Sequence, residues 1–314
     1  MSTEGSTRAI LAAFGANLGI AVAKFVAFVF TGSSSMLAES IHSVADTSNQ
    51  GLLLLGGRRA RRRATATHQF GFGRERYFWA FIVALIIFSV GALFAIFEGI
   101  DKLRHPEPIE SPEWAIGVLL IAMVLEGLSL RTAMRESRHS MKRGMSWWAF
   151  VREARKPELP VVLMEDFGAL AGLVLALAAI TTSIVTGEPR WDAVGTLSIG
   201  LLLGVIAMVL SNEMRSLLVG EAVTKENLTA IEEGIAASPR VQRLINLRTQ
   251  HLGPEQILVA AKLQFDPDLD MEGLARAIDE TERLIRDRLA GQTFIFIEPD
   301  IYRDDRAADA DGQP

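Results

Sequence analysis

Six apolar runs, each long enough to cross the hydrocarbon core of a bilayer, leave this 314-residue chain few ways to fold. They cover roughly Ile10–Phe30, Met36–Leu55, Phe78–Phe97, Trp114–Leu130, Pro160–Val185 and Trp191–Leu210. Backbone polar groups inside hydrocarbon must be satisfied within the chain, so runs of this length are read as helices. The remainder is more polar. Apolar residues make up 49% of the chain and the mean hydropathy is +0.25, high for a soluble protein and low for one wholly in the membrane. A membrane domain with a soluble extension is expected. Cysteine is absent, which excludes disulfides and thiolate metal ligands. No cleavable signal peptide is expected, because Met1 to Thr7 is short and polar and the first apolar run is too long.

The loops give the orientation. After the second run come Arg58, Arg59, Arg61, Arg62, Arg63, Arg74 and Arg76; after the fourth come Arg131, Arg135, Arg138, Lys142, Arg143, Arg152, Arg155 and Lys156. The opposite side has only Lys102, Arg104 and Arg190. Fifteen against three places both termini in the cytoplasm by the positive-inside rule. These basic groups set topology, and contact with anionic lipid headgroups is an added role. Between Ser137 and Leu159, Trp147, Trp148 and Phe150 stand beside basic residues, as in a helix lying at the membrane interface.

Beyond about Leu218 the pattern changes. Asn227–Ala237 has helical periodicity and stops at Ser238-Pro239. Val241–Leu252 and Ile257–Phe265 read as strands, the second by strict alternation of Ile257, Val259, Ala261, Leu263 and Phe265. Met271–Leu289 is amphipathic, and Thr293–Ile301 reads as a last strand. The fold class expected is an α-helical membrane protein with six transmembrane helices over 1–218, followed by a small α+β ferredoxin-like domain over 219–303. Residues 304–314 are acidic and small and are expected to form a disordered tail.

Ionisable groups at membrane depth are expensive, so they are functional candidates by default. The second run carries Glu39, His42 and Asp46. His42 and Asp46 are four apart and stack on one helix face. The fifth run carries the adjacent carboxylates Glu165 and Asp166, with no basic residue beside them in that run. One imidazole and three carboxylates suit tetrahedral zinc and are acceptable to manganese, iron(II) or cobalt(II). Adjacent helix positions point about 100° apart, so Glu165 and Asp166 cannot both face one ion squarely. One is a ligand, and the other supports it or carries protons. Depth sets a second constraint, since His42 lies near the outer end of its run and Glu165 near the inner end of its own. Glu213, after the sixth run, is a candidate partner for Arg74.

Ser33–Gln50 resembles the second-helix signature of the cation diffusion facilitator family, with His42-Ser43-Val44-Ala45-Asp46 as its core. Asn17, Lys24 and the Gly32-Ser33 turn fit the same pattern, and His68 to Trp79 is similar to the start of that family's third helix. The segment PELPVVLMED resembles the branch that contains the mitochondrial zinc transporter nine. In place of the usual fifth-helix pair spaced by four, Glu165 is followed by Ala169, and the acids are adjacent. His68 alone remains where the loop after the second helix often carries several histidines, with Phe72 at one such position. Phe296 stands where the soluble domain often has histidine, leaving His251 there. A dimerisation role for that domain is therefore favoured over metal sensing.

The resemblance implies a homodimeric antiporter that exports divalent cations, zinc foremost, in exchange for protons, with His42, Asp46, Glu165 and Asp166 as the metal site. Manganese, iron(II) and cobalt stay open as cargo, and a non-transporting membrane sensor or scaffold is the other class. An intramembrane metallohydrolase would need two histidines and a glutamate in one helix, and no run has two histidines. No enzyme activity, cofactor or nucleic-acid partner is expected. Partners are the metal ions, protons, membrane lipids and a second copy, and the expected location is a bacterial inner membrane.

Overall fold

The computed structural model describes residues 34–106, 112–142 and 144–303, with Phe14, Gly15, Leu18, Gly19, Ala21, Val22, Phe25, Val26 and Val29. Among these residues, side chains are described outside positions 34–43, 45–46, 86–88, 112, 114–115 and 118. Two compact units form, residues 1–63 with 75–215 and residues 64–74 with 216–314.

The first unit is helical. Helix α1 runs Ser34–Ala60, α2 Glu75–Arg104 with a π-helical turn at Val83–Ile87, and α3 Pro112–Ser140. A short α4, Trp147–Glu153, precedes α5 (Glu158–Thr186) and α6 (Arg190–Val219). Among the described residues, α2, α5 and α6 are long and apolar enough to cross a membrane. Helices α1 and α3, of 27 and 29 residues, also have the length. Of the first expected span, Ile10–Phe30, only scattered positions are described. Each long helix outruns its apolar run, and α3 continues through Arg131, Arg135 and Arg138. Helical hydrogen bonding persists where the hydrocarbon stops, so polarity marks the membrane and not the helix end.

Apolar side chains lie on the outside of this unit as well as the inside. Phe97 is 73% exposed, and Leu93, Phe94, Ile121, Val124, Leu201 and Met208 are exposed with it. Such a surface is unsuited to water and suited to lipid. The helices meet through small residues, as membrane helices do. A Cβ on Gly200 would sit 2.7 Å from Ile96, and one on Gly195 would sit 2.3 Å from the Ala179 methyl. Helix α4 falls within the segment Ser137–Leu159: Ser146 caps it by accepting from the Ala149 amide, Phe150 and Val151 are buried, and Trp148 is exposed.

The second unit runs helix, strand, strand, helix, strand. Helix α7 (Lys225–Ala236) is capped by Thr224. Strand β1 (Val241–Gly253) pairs antiparallel with β2 (Gln256–Phe265), and β2 pairs in parallel with β3 (Gln292–Pro299). The parallel pair requires a crossover, which α8 (Met271–Arg286) supplies. Ile257, Val259, Ala261, Leu263 and Phe265 all face the core, meeting Ile231 and Ile235 of α7 and Ala277 and Ile285 of α8. Residues 64–74 join this unit through Phe70, whose ring stands edge-on to Phe294 at 5.2 Å and to Phe296 at 6.5 Å. On β2, Lys262 donates to Glu298 at 3.0 Å, a bond that raises its pKa above the ordinary lysine value. Residues 304–314, expected as a tail, lie outside the described residues.

Leu263 is fully buried at the centre of that core. Leu263→Ala is expected to destabilise the second unit by about 2–5 kcal/mol, read from its denaturant midpoint.

Candidate metal centre

Among the buried residues of helix α5, Glu158, Val161, Glu165, Gly168, Gly172, Ala179 and Ser183 recur at helical spacing, with Pro160, Leu163, Asp166 and Ile180 buried beside them. The small members of this set admit neighbouring helices closely; a Cβ on Gly168 would sit 2.8 Å from Ile206 of α6. Glu165 lies within that enclosed set, 7% exposed. Asp166 is 5% exposed on the adjoining face. The two neighbours point to different helices, as the 100° helical step requires. Asn49 Nδ2 of α1 donates to Glu165 Oε1 at 3.0 Å, and Ser129 Oγ of α3 donates to Asp166 Oδ2 at 2.9 Å.

The Asn49–Glu165 bond links α5 to the helix that carries the other half of the proposed centre. His42, Asp46 and Asn49 fall within about 60° of one another around α1, so they share a face. Asp46 lies one turn before Asn49, about 4.5 Å along the axis, and His42 lies about 10.5 Å along it. The side chains of Glu39, His42 and Asp46 are outside the described residues. The Asn49 bond therefore brings Glu165 against a position one turn from Asp46 along α1.

Three ionic ties hold the helix ends. Arg76 donates through Nε and Nη2 to both oxygens of Glu158, with Nη2 to Oε2 at 2.8 Å, joining the start of α2 to the first turn of α5. The forked guanidinium matches a carboxylate, and an acid in the first helical turn also suits the helix dipole. Glu158 lies two turns before Glu165, so this tie fixes the end of α5 nearest the candidate ligand. At the other end of α2, Lys102 donates to Asp192 of α6 at 2.9 Å. Glu213 pairs with Arg152 of α4 at 3.5 Å. Between α4 and α5, burial pushes the Arg155 guanidinium below its ordinary pKa, opposed by Tyr77, Glu153 and Glu213.

Other candidates fall elsewhere. His68 is in an exposed loop, its backbone amide bonded to Thr65 Oγ1 and its ring 4.6 Å from Phe72. His251 is 3% exposed near the end of β1. Met214 is fully buried and Met208 faces outward, which is packing and lipid exposure. Among the described residues no three His, Asp or Glu side chains gather closely enough to hold a metal ion. Sequence reading missed Ser129 and the Arg76–Glu158 pair. An acid at the start of a run beside a basic loop was the available signal for the pair, and a lone serine offers none.

The chain belongs to the cation efflux family, whose members are transporters and not enzymes: residues 10–219 match the cation efflux transmembrane domain, and residues 223–300 match the cytoplasmic domain of cation efflux proteins. It is 35% identical over 244 residues to the human protein named proton-coupled zinc antiporter SLC30A9, mitochondrial, covering 77% of this chain and 43% of that one. It thus spans less than half the length of that relative. It is 28% identical over 283 residues to metal tolerance protein C4 of Arabidopsis thaliana, covering 90% of this chain and 62% of that one. With the cation-efflux pump FieF of Cronobacter sakazakii it shares 27% identity over 292 residues, covering 92% of this chain and 91% of that one.

The separate bonding of the two acids sets an order. Glu165→Gln is expected to lower metal flux by about tenfold or more, and Asp166→Asn by less, in a proteoliposome assay. The reverse order would exchange their roles.

Proposed function

We propose that this chain exports divalent transition-metal ions, zinc foremost, from the cytosol in exchange for protons by alternating access. The observation that carries this reading is a buried glutamate, Glu165, hydrogen-bonded at membrane depth to the helix bearing His42 and Asp46. A carboxylate there is costly unless it has a cation to meet. His42, Asp46 and Glu165 supply one imidazole and two carboxylates, with Asp166 supporting the helix against α3. A nitrogen ligand favours zinc over magnesium or calcium, and the carboxylates also accept manganese, iron(II) and cobalt. The similarity to a protein named as a zinc antiporter supports zinc.

Proton coupling follows from the ligands. Metal binds neutral imidazole and ionised carboxylate, so binding releases protons and protonation releases metal. Imidazole exchanges protons near neutral pH. A site open alternately to each side then moves metal one way and protons the other. The transport unit is residues 1–218, and the domain that follows serves to pair two copies. The basic loops support an orientation with both termini on the cytosolic side of a bacterial inner membrane, in contact with anionic lipid.

His42→Ala and Asp46→Ala are each expected to abolish proton-driven zinc uptake into inverted vesicles while the protein still elutes as a dimer. Normal uptake by Asp46→Ala would remove the site. Competition among zinc, manganese, iron(II) and cobalt in proteoliposomes under an imposed pH gradient identifies the cargo. Absence of flux for all four would make the protein a sensor or scaffold.

A further inference from the structure

Asn49 is 2% exposed, in the polar stretch of α1 that begins at Asp46, and its neighbour Gln50 is 1% exposed. Its side-chain amide spends one N–H on Glu165 Oε1 at 3.0 Å. A carboxylate oxygen accepts and an amide nitrogen donates, so this contact fixes which way the amide points. Asn49 Oδ1 is then turned away from Glu165, and among the described residues neither it nor Gln50 Oε1 has a hydrogen-bond partner. Buried amide oxygens without partners are uncommon. Asparagine is also the right donor for an acid that must later meet metal. A lysine or arginine would neutralise the carboxylate and compete with the incoming ion, whereas a neutral amide orders the side chain and leaves its charge.

We propose that Asn49 is a positioning residue for transport, holding Glu165 so that its carboxylate stands on the face of α1 that carries Asp46 and His42. This rests on the reading of those residues as the metal site. A glutamate has three rotatable side-chain bonds, and ordering them beforehand removes that cost from metal binding. Asn49 touches the ligand and not the metal. A different account, that Asn49 merely joins two helices, makes a different forecast, because helix joining does not depend on what Glu165 does with zinc.

The test uses the full chain, with zinc as the probe, in two measurements: flux into proteoliposomes and equilibrium zinc binding to the detergent-solubilised protein. Asn49→Ala is expected to raise the half-saturating zinc concentration about tenfold in both, with a smaller change in maximal flux. Asn49→Gln, which keeps the amide, is expected to recover most of that loss. Asn49→Ala combined with Glu165→Gln is expected to bind zinc no more weakly than Glu165→Gln alone, since the two act through one carboxylate. Independent, multiplying effects would overturn the proposal, as would wild-type zinc affinity in Asn49→Ala. If Asn49→Ala does not elute as a folded protein, Asn49→Ser, too short to reach Glu165, takes its place with the same forecasts. Wild-type affinity in Glu165→Gln would sink the metal-site reading and this inference together. Impaired Glu165→Gln beside unaffected Asn49 variants would sink this inference alone.

Discussion

A carboxylate in hydrocarbon governs the first unit. Water cannot reach Glu165 or Asp166 freely, so each needs a donor from a neighbouring helix, and each has one, Asn49 on α1 and Ser129 on α3. A buried charge without such support is destabilising by several kcal/mol. The same demand that threatens stability thus fixes which helices surround α5 and how far along each they meet. Neutral donors meet the demand without cancelling the charge, which leaves the acids able to take part in cation chemistry.

The rest of the unit follows a division of labour between small residues and ionic ends. Glycines and alanines along α5 and α6 let backbones approach, because lipid offers no hydrophobic drive to push helices together. Full ion pairs sit toward the helix ends, Arg76 with Glu158 and Lys102 with Asp192, where bonding to solvent is close at hand. In the second unit the balance is the soluble one, with an alternating apolar strand buried under two helices. Residues 64–74, which link α1 to α2 in sequence, pack by Phe70 against this unit's sheet and not among the membrane helices.

Much of the fold was legible because its signals are local. Bilayer thickness sets the length of an apolar run, so the helices are visible as composition, and strict alternation from Ile257 to Phe265 announces a half-buried strand. Helix ends were less legible, since α3 continues past its apolar run into arginine-rich sequence where nothing local tells it to stop. The partners were least legible. Glu213 pairs with Arg152, and Phe70 finds Phe294, contacts between residues far apart in sequence that depend on how elements pack.

By itself the sequence determined that helices cross the membrane, that acids and an imidazole lie within them, and that a small α+β unit follows, because hydrophobic periodicity and the cost of buried charge act residue by residue. Only the tertiary structure decided that Glu165 meets Asn49 while Asp166 meets Ser129. Neighbours in sequence diverge by a fixed angle on a helix, but which helix waits at each angle is set by packing, and packing is a property of the whole.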